Sequence, residues 1–326
     1  MSPSAITLPE SEHFELQELA AGVYAAIATL DGAAYSNAGI VDLGDQTLIF
    51  DTFDTALAAE DLRAAAESLT GRPATCVIIS HVHADHWCGN QVFAPQVPII
   101  TSHAIREGMP EAMGWLVELK DNSAELQNAI QEEQEHLESE RDPRKRVALE
   151  RSIKRMGLRL ETLPDLELHY PTQTFGDRLV FHGAQRRVEL VEVAPGHTAD
   201  DIYLLLPEEG IVFMGDLGFF QCQPFTVWAD PVAWVAHLEE MEGSSNEVFV
   251  PGHGPLGDKS DLALQRQYIL ALEVLVSEAI GEGLSAEETM NKLLPSPFDA
   301  WLEEGLARWE ANILATHARL SSGLTG

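Results

Sequence analysis

Short apolar runs broken by Gly, Asp and Asn open the chain, and their β-branched content and turn spacing predict strands over residues 23–27, 38–41 and 47–50. Turns at Asp31-Gly32 and Gly44-Asp45 separate them, so the three form a β-meander entering a sheet. Residues 56–68 have helical composition and end at Thr70-Gly71-Arg72-Pro73, a stop signal. A further apolar run, residues 76–79, completes strand, helix, strand. That order predicts an α/β unit whose next loop leaves the carboxyl end of a strand.

A different texture follows over about 104–163, rich in Glu, Arg, Gln and Leu. Leu119, Leu126, Ile130 and Leu137 fall at spacings of 7, 4 and 7, and Asp142-Pro143 breaks the pattern before Val147, Leu149, Ile153 and Met156. This narrow stripe predicts a helical hairpin inserted into the α/β domain. Its charge density suits a solvated cover over part of the core; walling an active site or making a homodimer contact are the sharper roles. Strands resume at Arg178. Beyond Pro255 the chain reads as helices over 262–280, 286–294 behind a Ser285 cap, and about 298–320, with Trp301, Trp309 and Ile313 on one packing face. No linker separates them, so the expected organisation is one domain over 1–260, carrying the insertion, and a helical extension over 261–326 packed on it.

The chemistry gathers where apolar runs end. Residues 80–90 read Ser-His-Val-His-Ala-Asp-His-Trp-Cys-Gly-Asn, placing His81, His83, Asp85 and His86 directly after the 76–79 run. Side chains at i and i+2 of an extended exit point the same way, so His81 and His83 can share one metal, while Asp85 and His86 swing toward a second. Imidazoles and a carboxylate buried together need partners, which core packing does not supply. Three later runs behave alike: 188–193 leads to Pro195-Gly196-His197, 211–214 to Gly215-Asp216, and 248–250 to Pro251-Gly252-His253-Gly254. Four strands thus deliver potential ligands at their carboxyl ends, where open α/β sheets place their sites. Asp51, at the end of the 47–50 strand, either caps the next turn or orients a ligand histidine.

Charge narrows the partners. With 20 basic and 52 acidic residues, a formal charge of −32 repels nucleic acid phosphates and anionic membranes, which argues against a nuclease and for a small-molecule substrate. Three scattered cysteines make no disulfide framework. The first 18 residues lack a signal-peptide pattern and no apolar run reaches a span of about 18 residues, so the expectation is a cytoplasmic protein.

His-x-His-x-Asp-His followed in order by Pro-Gly-His, Gly-Asp and Pro-Gly-His-Gly resembles the metallo-β-lactamase-fold superfamily of metallo-hydrolases. The resemblance runs over about 48–255 and implies a four-layer αββα sandwich of the α/β class, with the helical insert and C-terminal helices outside it. It implies that His81, His83 and His197 hold one metal and Asp85, His86 and His253 another, with Asp216 bridging. Nitrogen ligands with carboxylates suit two divalent ions, zinc first, with iron or manganese also accommodated. Two dications against two carboxylates and a bridging hydroxide leave a local charge of about +1, opposite in sign to the whole protein. The implied mechanism is attack by the metal-bridging hydroxide on an ester, lactone or thioester, with Asp85 also able to pass a proton to the leaving group. An iron-containing redox enzyme, a β-lactam or phosphodiester hydrolase, and a non-enzymatic metal-binding protein are the alternatives.

Departures from the family bear on substrate. The β-lactamase branch with a cysteine ligand would need Cys where this chain has Asp216. Thioesterases similar to glyoxalase II bind glutathione partly through basic C-terminal helices, whereas Lys259, Arg266, Lys292, Arg308 and Arg319 here are spread out. Trp87, Phe219, Phe220, Phe225 and Trp228 are candidate pocket walls or core residues, and Tyr35 with Asn37 and Asn90 are candidate polar contacts, the two asparagines serving equally as turn residues.

Overall fold

The computed structural model describes residues 7–304 and 306–322, so the outermost ends of both expected domain spans, and Gly305 within the expected last helix, lie outside the described residues. A seven-stranded sheet takes its strands in chain order: β1 (Phe14–Ala20), β2 (Val23–Ala28), β3 (Ala38–Asp42), β4 (Thr47–Phe50), β5 (Cys76–Ile78), β6 (Ile99–Ser102) and β7 (Gln173–Phe175). The first four pair antiparallel, and β4 through β7 pair parallel. The parallel half needs crossovers. The first is α1 (Ala56–Thr70), capped by the Thr55 hydroxyl accepting from Ala58 N and ended by Gly71 at φ 69°. Between β6 and β7 run α2 (His103–Asp121), α3 (Ala124–Ser139) and α4 (Pro143–Thr162).

A second sheet of β8 (Arg178–His182), β9 (Arg187–Val193), β10 (Asp201–Leu206), β11 (Ile211–Phe213) and β12 (Val248–Val250) is ordered β12-β11-β10-β9-β8. Its one parallel pair, β11 with β12, is bridged by α5 (Pro231–Gly243). The chain closes with α6 (Lys259–Gly281), the single turn α7 (Ala286–Thr289), a 3₁₀ stretch over Phe298–Glu304, and α8 (Leu306–Ser321).

The sheets stack through their apolar faces, Val41, Leu48, Phe50 and Ile78 meeting Leu190, Ile202, Leu204 and Phe213. The approach is close enough that a methyl group on Gly39 would lie 2.6 Å from the Phe213 ring. The outer face of the first sheet is covered by α1 and α2 through Leu62, Ala66, Met109 and Met113. The second is covered by α5, α6 and α8 through Trp234, Tyr268, Leu272, Trp309 and Ile313. The result is an αββα sandwich in which each fully buried large apolar side chain contributes about 1.5–3 kcal/mol.

Three expectations change in detail. The insert is three helices, not a hairpin. Leu119 belongs to α2, and Asn122-Ser123 break the stripe before α3, which pairs with α4 but buries no residue fully. The helix expected over 286–294 stops after one turn, leaving its Ser285–Glu288 capping box as the whole element. A strand goes ahead of the meander, because β1 pairs with β2 although its polar Glu15 and Glu18 are exposed. Among the described residues no helix is long and apolar enough to cross a membrane.

Candidate metal centre

At one edge of the sandwich, both sheets end in titratable side chains. The first supplies the loop after β5. There a short 3₁₀ turn, Ala84–His86, folds the chain back so that His81, His83, Asp85 and His86 converge. The second supplies His197 after β9, Asp216 in the turn after β11, and His253 after β12. Ligand atoms of His81, His83, His197 and Asp216 lie within 4.8 Å of one another, as do those of Asp85, His86 and His253.

Asp216 faces both sets. Its Oδ2 is 3.3 Å from His197 Nε2 and 3.6 Å from His81 Nε2, while its Oδ1 is 3.0 Å from His86 Nε2 and 3.4 Å from His253 Nε2. His253 Nε2 is 3.2 Å from Asp85 Oδ2, and His83 Nδ1 is 3.0 Å from His197 Nε2. Donors sharing a tetrahedral ion at about 2.1 Å sit roughly 3.4 Å apart, and this packing matches that spacing. His81 Nε2, His86 Nε2 and Asp216 Oδ1 are buried without a hydrogen-bond partner among the described residues, although buried polar atoms are ordinarily satisfied. The residues therefore fit divalent cations.

Asp51 sets the orientation. Its carboxylate accepts from Ser80 N at 2.8 Å and Ser80 Oγ at 2.7 Å, and lies 2.7 Å from His86 Nδ1; Ser80 Oγ in turn is 2.9 Å from His81 Nδ1. With both Nδ1 atoms engaged, the Nε2 atoms of His81 and His86 point at Asp216. Asp201 performs a comparable task for the His197 loop, accepting from Thr198 N at 3.0 Å and Thr198 Oγ1 at 2.9 Å. Asn37 is a tie, its Nδ2 donating to Pro251 O and Gly254 O, both 2.9 Å away. Gly252 is obligatory, since a Cβ there would stand 1.9 Å from Asp216 Oδ1.

The two sets differ in charge. Burial pushes His83 down to about 3 and lowers His81, leaving neutral imidazoles. Burial also opposes charge on His253 and His86, but there Asp216 and Asp85 outweigh it, raising His253 to about 9 and His86 above its ordinary value. Against the same burial, these imidazoliums hold Asp85 and Asp216 below the usual carboxylate range.

The aromatic candidates divide. Trp228 is 62% exposed, with its ring 4.9 Å from His83, and Phe225 lies 5.4 Å from Trp228. Tyr35 stands edge-on to His253 at 5.2 Å. Trp87 does not wall the site, because the 3₁₀ turn aims it into the core, where its Nε1 donates to Val82 O. Phe220 is likewise core, closed over by Gly257, and Phe219 stacks behind His253 at 4.9 Å. Asn90 is tied inward, accepting from Thr52 Oγ1 at 3.1 Å. All three cysteines are buried and lie outside both ligand sets.

Asp201, Arg155, Arg159 and the role of Ser80 escaped the sequence reading, and Arg308 entered it only as one of five dispersed basic residues. Arg159 on α4 pairs with buried Asp54, Arg155 one turn earlier lies 4.1 Å over the Tyr35 ring, and Arg308 on α8 donates to Tyr35 Oη at 2.9 Å. The only sequence signal was an i, i+4 arginine pair on a helix already dense in charge.

The profile of the Metallo-beta-lactamase superfamily matches residues 31–253. Among solved structures the chain is similar to a metallo-beta-lactamase from Pontibacter korlensis, with 20% identity and a TM-score of 0.55 over 79% of this chain and 99% of that one. It is also similar to the metallo-beta-lactamase FIM-1 from Pseudomonas aeruginosa in its mono-zinc form, with 16% identity and a TM-score of 0.55 over 81% and 98%. At these identities the likeness is one of fold. The linear primary-alkylsulfatase of Pseudomonas sp. (strain ATCC 19151) is 25% identical over 167 residues, which is 48% of this chain and 31% of that protein. The chain thus matches under a third of that relative's length.

Proposed function

The chain belongs to the metallo-beta-lactamase superfamily, and from that membership we propose a dinuclear metal hydrolase that cleaves a small acyl substrate, an ester, lactone or thioester. The observation that carries this is Asp216, whose two carboxylate oxygens each face a separate set of donors. His81, His83, His197 and Asp216 would hold one ion, and Asp85, His86, His253 and Asp216 the other. Three imidazoles with one carboxylate in the first set, and two with two in the second, favour zinc, with iron or manganese tolerated. Bound ions would supply Lewis acidity and a hydrolytic nucleophile at neutral pH. The chain's own part is positional. Asp51 and Ser80 hold the Nε2 atoms of His81 and His86 toward the centre. Asp85, at 15% side-chain exposure against 3% for Asp216, is the carboxylate placed at the open side to accept the proton of the attacking water and pass it on to the leaving group. Phe225 and Trp228 offer an apolar rim beside His83 for the acyl chain.

The deciding experiment measures metal content and turnover on one sample against aryl esters, lactones, thioesters, β-lactams and phosphodiesters. Two equivalents of metal with acyl hydrolysis support the reading. Iron with oxygen consumption and no acyl hydrolysis would sink it. A sulfate-ester reading has one observation in its favour, the partial match to an alkylsulfatase. Release of inorganic sulfate from an alkyl sulfate, without acyl hydrolysis, would replace the first reading by the second.

A further inference from the structure

The geometry points to an anion-recognising subsite on the His253 side of the centre, built by Tyr35, Arg155 and Arg308, which takes a terminal oxyanion on the substrate. This rests on the hydrolase reading and specifies the substrate class for it.

Three separate parts of the chain meet there. Tyr35 comes from the loop before β3, with a backbone φ of 66°, a conformation costly for a bulky residue and one that persists only where the surroundings enforce it. Its ring stands 5.2 Å from His253. Arg308, from α8, donates Nη2 to Tyr35 Oη at 2.9 Å and Nη1 to Gln223 O at 2.8 Å, so the guanidinium is held in a fixed plane. Because Tyr35 Oη accepts from Arg308, its own hydroxyl hydrogen is free to be given elsewhere. Arg155, from α4, lies 4.1 Å over the same ring and is exposed. No ion pair holds it among the described residues, whereas its neighbour Arg159 is spent on Asp54. Glu133 on α3 and the buried Asp54 are the acidic groups facing Arg155; Glu133 Oε1 accepts from Ser152 Oγ at 3.0 Å while its Oε2 has no hydrogen-bond partner among the described residues, and Asp54 is paired with Arg159.

Two guanidiniums flanking a phenol match the forked geometry with which arginine meets carboxylate or sulfate. The collection is conspicuous on a chain of net charge −32, where a cation beside the site is the exception. Across the centre, beside His83, the wall is the apolar pair Phe225 and Trp228. The mouth is therefore two-sided, apolar at one end and cationic at the other. It suits a substrate with a hydrolysable bond between a hydrocarbon part and a charged end.

The test compares the metal-loaded protein with its Arg155→Met, Arg155→Glu and Arg155→Lys variants; the exposed position keeps all three foldable. Turnover is followed with 4-nitrophenyl hexanoate and the mono-4-nitrophenyl ester of adipic acid, which differ by a terminal carboxylate. Wild type should prefer the anionic ester. Arg155→Met should lower that preference about fivefold, as for one solvent-accessible ion pair, through KM rather than kcat. Arg155→Glu should reverse it, and Arg155→Lys should restore most of it, which a packing role would not do. Binding of hexanoate, hexyl sulfate and hexanol, read by tryptophan emission, needs no turnover; the tighter of the two anions identifies carboxylate or sulfate as the natural end. Equal binding of hexanol and the anions, or ratios unmoved by all three variants, overturns the subsite even if esters are hydrolysed. Charge-dependent binding without ester hydrolysis retains the subsite and counts against the acyl-ester reading.

Discussion

Replacing Asp51 by asparagine, Asp51→Asn, tests whether metal affinity is controlled from behind the ligands. Asp51 sits at φ 60°, a conformation Asn adopts as readily as Asp, so the backbone is undisturbed where alanine would add strain. One carboxylate oxygen accepts from Ser80 N, and the other meets Ser80 Oγ and His86 Nδ1. All three partners donate, whereas the amide has only one accepting atom. With its nitrogen toward Ser80 N, it leaves a buried donor unsatisfied, at about 1–3 kcal/mol. With its nitrogen toward His86, it forces the proton onto Nε2, the atom that faces Asp216 Oδ1 at 3.0 Å. Either arrangement penalises the metal-ready state, and loss of such outer partners typically costs about 10–100-fold in metal affinity. Competition against a chelator of known affinity reads this directly, with circular dichroism confirming an intact fold. Both sets should weaken, the Asp85–His86–His253 set more, since His81 feels Asp51 only through Ser80 Oγ. Wild-type affinity in a folded Asp51→Asn protein would refute the orienting role.

Asp216→Ala should lose metal from both ligand sets together with hydrolysis, as metal analysis and turnover on one preparation will show; a variant keeping one full set disproves the shared carboxylate. In the metal-free protein His253, raised to about 9, and His86, also raised, carry protons that an incoming dication must displace. Metal affinity should therefore fall as pH drops below about 9, measured by competition titration between pH 6 and 9, and a flat profile contradicts the assignment. Arg159→Leu leaves Asp54 buried and uncompensated and should cost about 3 kcal/mol in urea unfolding, much of it recovered when Asp54→Ala is added. A single variant as stable as wild type would show that the pair contributes nothing.

The candidate ligands were legible because each is written at the end of an apolar run, and a strand's end fixes where the next side chain goes. His197, Asp216 and His253 lie far from His81 in sequence, yet the recurrence of strand, glycine and ligand brought them together on paper as the sheets do in space. Asp51 was visible for the same reason. The walls were not. Trp87 is two residues from Asp85, but a 3₁₀ turn reverses its direction, and no composition signal distinguishes that turn from an extended loop. Arg308 and Tyr35 meet across a separation of 273 residues through the docking of α8, which no local pattern encodes. The strand β1 hid behind its exposed polar positions, the ordinary signature of a sheet edge.

Because one sheet carries His81, His83, Asp85 and His86 and the other His197, Asp216 and His253, an ion held at Asp216 would be a cross-link between the two halves of the sandwich. Such a link acts on the unfolded chain as a disulfide does, removing loop-closure entropy of about 4–5 kcal/mol for a loop of roughly 100 residues. The lifetime of the folded molecule against heat and proteases would then follow the rate at which ligands let go of their ion, rather than the size of the hydrophobic core.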